Sequence, residues 1–472
     1  MSCLENELKH VDFGDKRLNN RIDKVSDSLG KNPTFSIPAA CGGWKDTKAA
    51  YNLLSNPKVS SQEMFKSHLH EIIKRSENED ILLCPQDTTE LDYTTQKNND
   101  TYEYLNRETR KGLYLHTTLV VTPKRLCLGV MKMEIIKRSQ LKSQMTKEER
   151  KAHDFLPLEK KESYRWITSY KNACELATSL PDKKVISMGD RECDFYDFYT
   201  IAKESIDEGN PYADWIVRGT WDRETETQDA QESTIIKEVK AEAVIATVEF
   251  MMPSRDGKPA RLVQQEIKVK KVKVKPPKSK ELEGAEPIFI TAVLTSEIDT
   301  PDGCDPVEWL LLTSIDVINA EDALNIVQWY LCRWDIEVYF KVLKSGCAIE
   351  KMQLKKAHQV ENGLSIYMII AWRIMYLTML GRDCPDLPAD AVFSDFEWKA
   401  VCMFTKKSKT TNSPPRLNEM ISMIASLGGF LGRKSDGDPG VKSMWIGMQR
   451  MHDVAAMFEL CREGEISRKT YG

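Results

Sequence analysis

The sequence lacks several features that would assign its 472 residues to a special class of protein. It has no run of about 18 consecutive apolar residues, so we expect no transmembrane helix and no membrane partner. Charged residues stand near the N-terminus where a signal peptide would be apolar, so we expect a cytoplasmic protein. The twelve cysteines are scattered without a CxxC pair, which argues against a structural zinc site.

The sequence also lacks an excess of positive charge. Lys and Arg number 67 against 71 Asp and Glu, giving a net charge of −4. This balance excludes a protein that is basic over its whole surface, but it allows basic patches that bind nucleic acid. The 41% hydrophobic and 29% charged residues are typical of globular proteins, and the length fits about three domains.

The first 60 residues are predicted to form a helical domain. Leu18, Ile22, Val25 and Leu29 recur at spacings of three and four, which indicates an amphipathic helix over residues 15–29. A second helix is predicted over 46–54, before Asn56-Pro57.

Residues 61–375 are predicted to form an α/β domain with a mixed sheet, because short apolar strands alternate with helices after an opening hairpin. The strands are predicted at 81–86, 113–122, 126–135, 184–190 and 214–218, and the helices at 160–180 and 195–204.

A β-rich insertion is predicted at about 220–300, with strands over 243–250, 267–274 and 288–294. Within it, Lys alternates with Val between Lys268 and Val274. This alternation is open to two interpretations, an edge strand protected by lysines or a strand that contacts phosphate.

Two acidic residues occupy positions where α/β proteins collect functional groups. Asp87 comes directly after the apolar run that ends at Gln86, and Asp190 ends the predicted strand 184–190. Two neighbouring carboxylates could hold Mg²⁺ or Mn²⁺, which prefer oxygen ligands. Each aspartate taken alone could instead be a helix cap or a turn residue.

A third acid, Glu337, lies in a predicted helix with two distinct faces. One face would bring the acid together with a phenol and three cations, namely Tyr330, Arg333, Glu337, Lys341 and Lys344. The other would pack in the core, with Leu324, Val327, Leu331, Trp334, Val338 and Val342. The polar face is either a ladder of salt bridges or a metal ligand flanked by phosphate-binding cations.

The pattern Y-x-x-R-x-x-x-E-x-x-x-x-x-x-K, formed by Tyr330, Arg333, Glu337 and Lys344, resembles the signature of the insertion-sequence-four family of bacterial DDE transposases. The neighbouring motifs are most similar to its Tn-five (IS-fifty) branch. They occur in the family's order and extend nearly from end to end: Gly14–Arg17, Lys48–Tyr51, Asp87-Thr-Thr, Asp190-Arg-Glu, Trp309–Ser314 and Leu427–Phe430.

The resemblance implies a ribonuclease H-like catalytic core in which Asp87, Asp190 and Glu337 bind two Mg²⁺ ions, with Mn²⁺ as a substitute. It implies cut-and-paste chemistry on DNA: cleavage at the inverted repeats through a hairpin intermediate, then joining of the 3′-OH ends to target DNA. It also implies contacts of Arg218, Tyr330, Arg333 and Lys344 with the DNA backbone and hairpin, and a flipped base against Trp309.

The resemblance also implies a function for each of the two end domains. Candidate DNA contacts of the N-terminal domain are Arg17, Arg21, Lys31, Lys45 and Lys48. Residues 376–472 are predicted to be a helical domain for homodimerisation in the synaptic complex. Its expected dimer contact, if not core packing within the chain, comprises Phe430, Trp445, Ile446, Met448 and Met451.

Two other functions stay open. A nuclease of similar fold would cut without joining, and would not need the hairpin residues Trp309, Tyr330 and Arg333. A catalytically idle DNA-binding inhibitor or a domesticated protein is expected to have lost an acid or the N-terminal domain, whereas this sequence has all of them.

Overall fold

The centre of the molecule is one mixed β-sheet in a computed structural model that describes residues 4–96, 101–138, 141–209, 211–227, 232–252, 259–282, 284–406 and 413–470. The sheet has twelve strands in these ranges. Their bounds are β1 Ile81–Asp92, β2 Glu103–Tyr104, β3 Lys111–Val121, β4 Cys127–Ile136, β5 Lys184–Gly189, β6 Asp214–Arg218, β7 Glu224–Glu226, β8 Glu232–Thr234, β9 Ala246–Met252, β10 Arg261–Val274, β11 Ile288–Glu297 and β12 Glu308–Thr313.

The strand order is β2-β3-β1-β5-β6-β12-β11-β10-β7-β8, with β4 paired to β3 and β9 to β10. The β1–β5 and β5–β6 pairs are parallel, and the other pairs are antiparallel. The predicted opening hairpin and mixed sheet are therefore confirmed.

The predicted insertion adds its strands to this same sheet. β10 lies between β11 on one side and β9 and β7 on the other, so its interpretation as an edge strand is wrong. Its lysines pair with acids of neighbouring elements: Lys270 with Glu242 at 2.9 Å, Lys271 with Asp316 at 2.7 Å and Lys273 with Glu226 at 2.9 Å. The positive charges of these three lysines are therefore paired with acids that lie elsewhere in the sequence.

Helices cover both ends of the chain and flank the sheet. Their bounds are α1 Glu5–Leu8, α2 Lys16–Lys31, α3 Ile37–Cys41, α4 Trp44–Ser55, α5 Ser61–Ser76, α6 Lys147–Asp154, α7 Tyr164–Ser179, α8 Tyr196–Asp207, α9 Ile235–Lys240, α10 Lys278–Glu281, α11 Ala320–Leu331, α12 Asp335–Lys341, α13 Ala357–Asp383, α14 Asp395–Lys406, α15 Leu417–Leu427 and α16 Val441–Thr470.

The N-terminal helices form as predicted and are fixed to the rest of the chain. The side chain of Asp15 accepts a hydrogen bond from the Arg17 amide and so caps α2, which buries Ile22, Val25 and Leu29. In α13, Asn362 donates side-chain hydrogen bonds to the carbonyls of Leu54 and Val59. These bonds connect α13 to the end of α4 and to the segment that follows it.

The helix that contains the signature motif is not wound uniformly. A 3-10 turn over Cys332–Trp334 separates α11 from α12, and a π-helical turn over Val342–Gly346 follows α12. Each change of winding rotates the faces relative to a continuous α-helix. The prediction that Trp334 lies in the core is wrong, because its side chain is 38% exposed.

The C-terminal helices pack on one another, α16 against both α14 and α15. Trp445, Met448 and Met451 are buried in the chain's own core, so the prediction that they form the dimer contact is wrong. Phe430 and Ile446 are half-buried against the same core. From its sequence alone, an apolar stripe that packs inside the chain cannot be distinguished from one that forms a dimer contact.

Among the described helices, α13 is the one whose length and composition would allow it to cross a membrane. Inside the chain, however, 83% of its most apolar 18-residue window is buried. Burial of this extent is typical of a core helix, in agreement with the apolar character of its sequence.

Candidate active site

Asp87 and Asp190 lie beside each other because β1 and β5 are parallel. Pro85 pairs with Met188, so the same register brings Asp87 level with Asp190, just beyond the end of β5. The prediction that the strand ends before Asp87 is wrong, since pairing with β3 continues as far as Asp92. Asp190 also caps a 3-10 turn, with its Oδ1 accepting from the Glu192 amide at 2.8 Å.

Arg333 connects Glu337 to Asp87 and also lies near the charge of Asp190. A guanidinium nitrogen of Arg333 lies 2.9 Å from Asp87 Oδ2, and another lies 3.3 Å from Glu337 Oε1. The Arg333 side chain is 8% exposed and that of Glu337 is 60% exposed. The three predicted acids therefore surround a buried cation, and the site opens to solvent on the side of Glu337.

The electrostatics of the site are visible in the pKa of Asp87. Burial raises this pKa, and the charge of Arg333 opposes that effect. The negative charges of Asp190 and Glu337 raise it further, to about 6. Because three carboxylates crowd around one guanidinium, additional positive charge would be stabilised here.

The donor set fits a hard divalent cation. All three acids offer carboxylate oxygens, which Mg²⁺ and Mn²⁺ prefer. In the described part of the chain, three candidate ligand atoms within 4.8 Å of one another occur at His10, His70 and Glu71 and not at the three acids. The carboxylates are therefore spread around Arg333, and they have not collapsed onto one point.

A cluster of hydrogen-bond donors adjoins the acids. Burial lowers the pKa of Arg218, which lies near Tyr330, Arg333 and Asp190. The Nε of Arg333 is buried without a hydrogen-bond partner. The Tyr330 hydroxyl lies beside the Arg333 guanidinium, whose charge opposes the rise in the Tyr330 pKa that burial causes. A buried unpaired donor is costly, so an acceptor supplied from outside the chain would stabilise Arg333 Nε.

Trp309 belongs to a buried aromatic cluster beside this site. Its ring stacks on Phe250 with centroids 5.4 Å apart and meets the edge of Trp334 at 6.1 Å. Trp309 itself is 6% exposed. The pocket for a flipped base therefore stays a prediction, and a DNA base could reach this ring only if its neighbours moved.

The two lysines of the signature helix differ in their surroundings. Lys341 is exposed at the end of α12. Lys344, in the π-helical turn, lies near Glu350 and Glu90, and burial lowers its pKa. Glu90 is three residues beyond Asp87 in β1, roughly 10 Å along the strand. The structure thus places Lys344 with a second group of charges at the far end of β1.

The N-terminal candidates are surface cations, and three of them are paired with acids. Arg17 pairs with Asp15, Arg21 lies 3.8 Å from Asp46, and Lys31 lies 2.7 Å from Asp27. Lys45 and Lys48 are exposed on α4, and both follow Trp44, a tryptophan at the start of the helix that is 80% exposed. These side chains are accessible to DNA.

Two polar residues near the acids were missed in the sequence. The buried His116 of β3 contacts Thr88 Oγ1 at 2.8 Å, and Arg165 of α7 donates to the same hydroxyl at 2.9 Å. A histidine within the apolar run of residues 113–122 was a visible signal. Nothing in the local sequence distinguishes Arg165 from a surface arginine.

Known protein families match both ends of this chain. A family model described as "Transposase DNA-binding" matches residues 1–59, and one described as "Transposase Tn5 dimerisation domain" matches residues 369–466. Along the chain, the matched segments lie on either side of the region that contains the three acids. Together they support a Tn5-type transposase, a DNA-processing enzyme whose partners are DNA and a second copy of itself.

Proposed function

We propose that the chain is a DDE transposase with a ribonuclease H-like core, which excises and inserts a DNA element of the insertion-sequence-four type. The observation that supports this most directly is the convergence of Asp87, Asp190 and Glu337 around Arg333, between two transposase end domains. Proteins that only bind DNA have no need of three acids at a DNA-facing site, because carboxylates repel phosphate.

Asp87, Asp190 and Glu337 would hold two Mg²⁺ ions, or Mn²⁺ in their place. When bound, such ions activate the attacking oxygen and stabilise the leaving oxygen of an in-line displacement at phosphorus. The protein's own contribution is to fix the carboxylates: Asp87 by the strand pairs on both sides of β1, and Asp190 by its capping bond. Both aspartates are thereby held before DNA arrives.

The donors beside the acids suit the DNA backbone. Arg333 Nε lacks a partner within the described chain, the Tyr330 hydroxyl lies beside the Arg333 guanidinium, and Arg218 adds a half-buried guanidinium. A phosphate that accepts from Arg333 Nε would remove the cost of leaving it unpaired. The proposed DNA end therefore lies alongside the acids and this cluster, where a hairpin would form beside Trp309.

The N-terminal helices would bind the terminal inverted repeats through the exposed side chains of Arg17, Arg21, Lys45 and Lys48. Lys31, at the C-terminal end of α2, is a further candidate and is paired with Asp27, as Arg17 and Arg21 are with Asp15 and Asp46. Phosphate contacts from such cations position the DNA, and base contacts give the sequence preference.

The second copy would pair through the exposed apolar side chains of the C-terminal helices. Phe404, Met457 and Leu460 are each at least 60% exposed. A substitution of Met457 and Leu460 by Glu should leave binding of a single DNA end intact and remove complexes with paired ends. Truncation near Gly432 is a poorer test, since it deletes the buried residues of α16.

The decisive experiment incubates the protein with Mg²⁺ and DNA that ends in the element's own repeats. Nicks, hairpins and joined products are scored separately. Hairpins and joined products are expected for a transposase, whereas nicks alone would indicate a simple nuclease. Binding without any cleavage, in Mg²⁺ or Mn²⁺, would favour an idle inhibitor or a domesticated protein.

A further inference from the structure

A single arginine connects the two segments that contain Asp87 and Asp190. Arg165 lies at the start of α7, and its side chain is 9% exposed. Its Nε donates to Thr88 Oγ1 at 2.9 Å, and a terminal nitrogen donates to the Glu192 carboxylate. The other terminal nitrogen donates to the Glu162 carbonyl at 2.6 Å, which anchors the guanidinium to the segment just before its own helix.

Two of the residues that Arg165 contacts, Thr88 and Glu192, also orient a predicted metal ligand. The Thr88 amide donates to Asp87 Oδ1 at 2.7 Å, and the Glu192 amide donates to Asp190 Oδ1 at 2.8 Å. A shift of Arg165 would therefore move the backbone donors of both aspartates. A guanidinium suits this task, because its fixed fork makes several directed bonds at once.

The Thr88 side of this link continues across the sheet. Thr88 Oγ1 lies 2.8 Å from His116 Nδ1, and His116 Nε2 lies 3.1 Å from Gln86 Oε1. Gln86 Nε2 then donates to Ser187 Oγ of β5 at 3.0 Å. Burial and the charge of Arg165 lower the pKa of His116 and keep it neutral. A neutral ring can accept from Thr88 and donate to Gln86, so each step has one donor and one acceptor.

We infer that Arg165 is a positioning residue that holds Asp87 and Asp190 at the separation needed for metal binding and strand cleavage. The inference rests on the proposed function, and Arg165 itself contacts none of the three acids in the hydrogen bonds described above. Residues that orient metal ligands in this way affect metal affinity or activity by roughly 10- to 100-fold.

The test compares Arg165→Gln and Arg165→Lys with the wild-type full-length protein. Mn²⁺ affinity is measured on the DNA-free protein by electron paramagnetic resonance, and nicking is measured at saturating end DNA. Arg165→Gln should weaken Mn²⁺ binding about tenfold and slow nicking about 100-fold, with unchanged affinity for end DNA. Arg165→Lys, which retains the charge and one contact, should recover part of both losses.

Arg138→Gln is the matched control. Arg138 and Arg165 line one polar cavity of about 210 Å³, in which Arg138 donates to Glu162 and to the Tyr114 hydroxyl. It reaches neither Thr88 nor Glu192 in the hydrogen bonds that the structure gives it. This variant should match the wild-type protein in Mn²⁺ affinity and nicking.

The outcomes separate this inference from the proposed function. Wild-type Mn²⁺ affinity and a wild-type nicking rate in folded Arg165→Gln would overturn the positioning role. If Arg165→Gln does not fold, Glu192→Ala decides, because this exposed side chain can be removed without opening the core. Weaker Mn²⁺ binding in the variant, with no nicking by the wild type, would support the positioning role and contradict the proposed function.

Discussion

The cations of the candidate active site and those of the N-terminal helices are held in different ways. The Arg333 side chain is 8% exposed and fixed between Asp87 and Glu337, whereas that of Arg17 is 91% exposed and pairs with its neighbour Asp15. The tryptophans differ similarly, since Trp309 is buried between rings and Trp44 projects into solvent. Buried cations have their geometry set before a ligand arrives, whereas exposed ones mainly supply attraction.

Single substitutions in the buried active-site region should therefore change activity much more than substitutions on the exposed N-terminal helices change DNA binding. In the buried region each side chain contacts several others, so one substitution leaves its partners without a hydrogen bond or an opposite charge. On the exposed helices each cation acts nearly alone and is screened by salt.

The largest effect is expected for Glu337→Gln. The amide keeps the size of the side chain but removes the charge needed to hold a divalent cation, so nicking should fall on the order of a thousandfold, about 4 kcal/mol in the barrier. Affinity for end DNA, measured by gel shift, should be retained. Undiminished nicking would remove Glu337 from the proposed triad.

The second-largest effect is expected where α1 packs against α5. Buried Glu7 of α1 accepts from Arg75 and lies 2.6 Å from His68 Nδ1, both on α5. Burial raises the pKa of Glu7, but His68 and Arg75 outweigh this and lower it from 4.5 to about 2. Burial lowers the pKa of His68 itself, so its ring is neutral at pH 7 and Arg75 supplies the opposing charge. A shift of this size therefore corresponds to at most about 3 kcal/mol of stability for the charged form.

This stability should depend on pH with a definite sign. Because the folded pKa lies below the unfolded one, the contribution is complete above about pH 4.5 and disappears as the pH falls towards 2. Glu7→Gln should lower the free energy of unfolding by at most about 3 kcal/mol at pH 7 and by roughly half as much at pH 3. Urea unfolding at both pH values measures this, and an equal loss at both would rule out the charge as the cause.

A smaller effect is expected for Trp309. If its ring supports a flipped base, Trp309→Ala should spare the first nick but reduce hairpin formation roughly tenfold, about 1.4 kcal/mol in the barrier. A pre-nicked end should not rescue the variant. Because the ring is buried against Phe250 and Trp334, Trp309→Phe serves as the control that keeps most of the packing. Equal losses in nicking and hairpin formation would mark the residue as core packing only.

The smallest effects are expected on the exposed helix α4. Lys45→Ala and Lys48→Ala should each weaken binding to end DNA a few-fold and reduce the slope of log affinity against log salt by about 1. Lys203→Ala, on α8 and paired with Asp207, is the control. Equal salt slopes for all three variants would exclude Lys45 and Lys48 from the DNA interface.

The sequence by itself determined most elements of the fold, since local patterns were sufficient for them. The spacing of Ile22, Val25 and Leu29 predicts α2, and short apolar runs predict β3, β5 and β6. It also pointed to Asp87, Asp190 and Glu337, because acids after apolar strands and within a signature helix stand out.

Only the tertiary structure decided which contacts these elements make. Pairing with β3 extends β1 past Asp87, and partners distant in sequence place β10 inside the sheet. Packing of α16 on α14 and α15 buries Met448 and Met451, which an apolar pattern cannot distinguish from an interface. The link from Arg165 to Thr88 and Glu192 spans 77 and 27 residues. Such a contact depends on how distant segments meet, which local propensity does not encode.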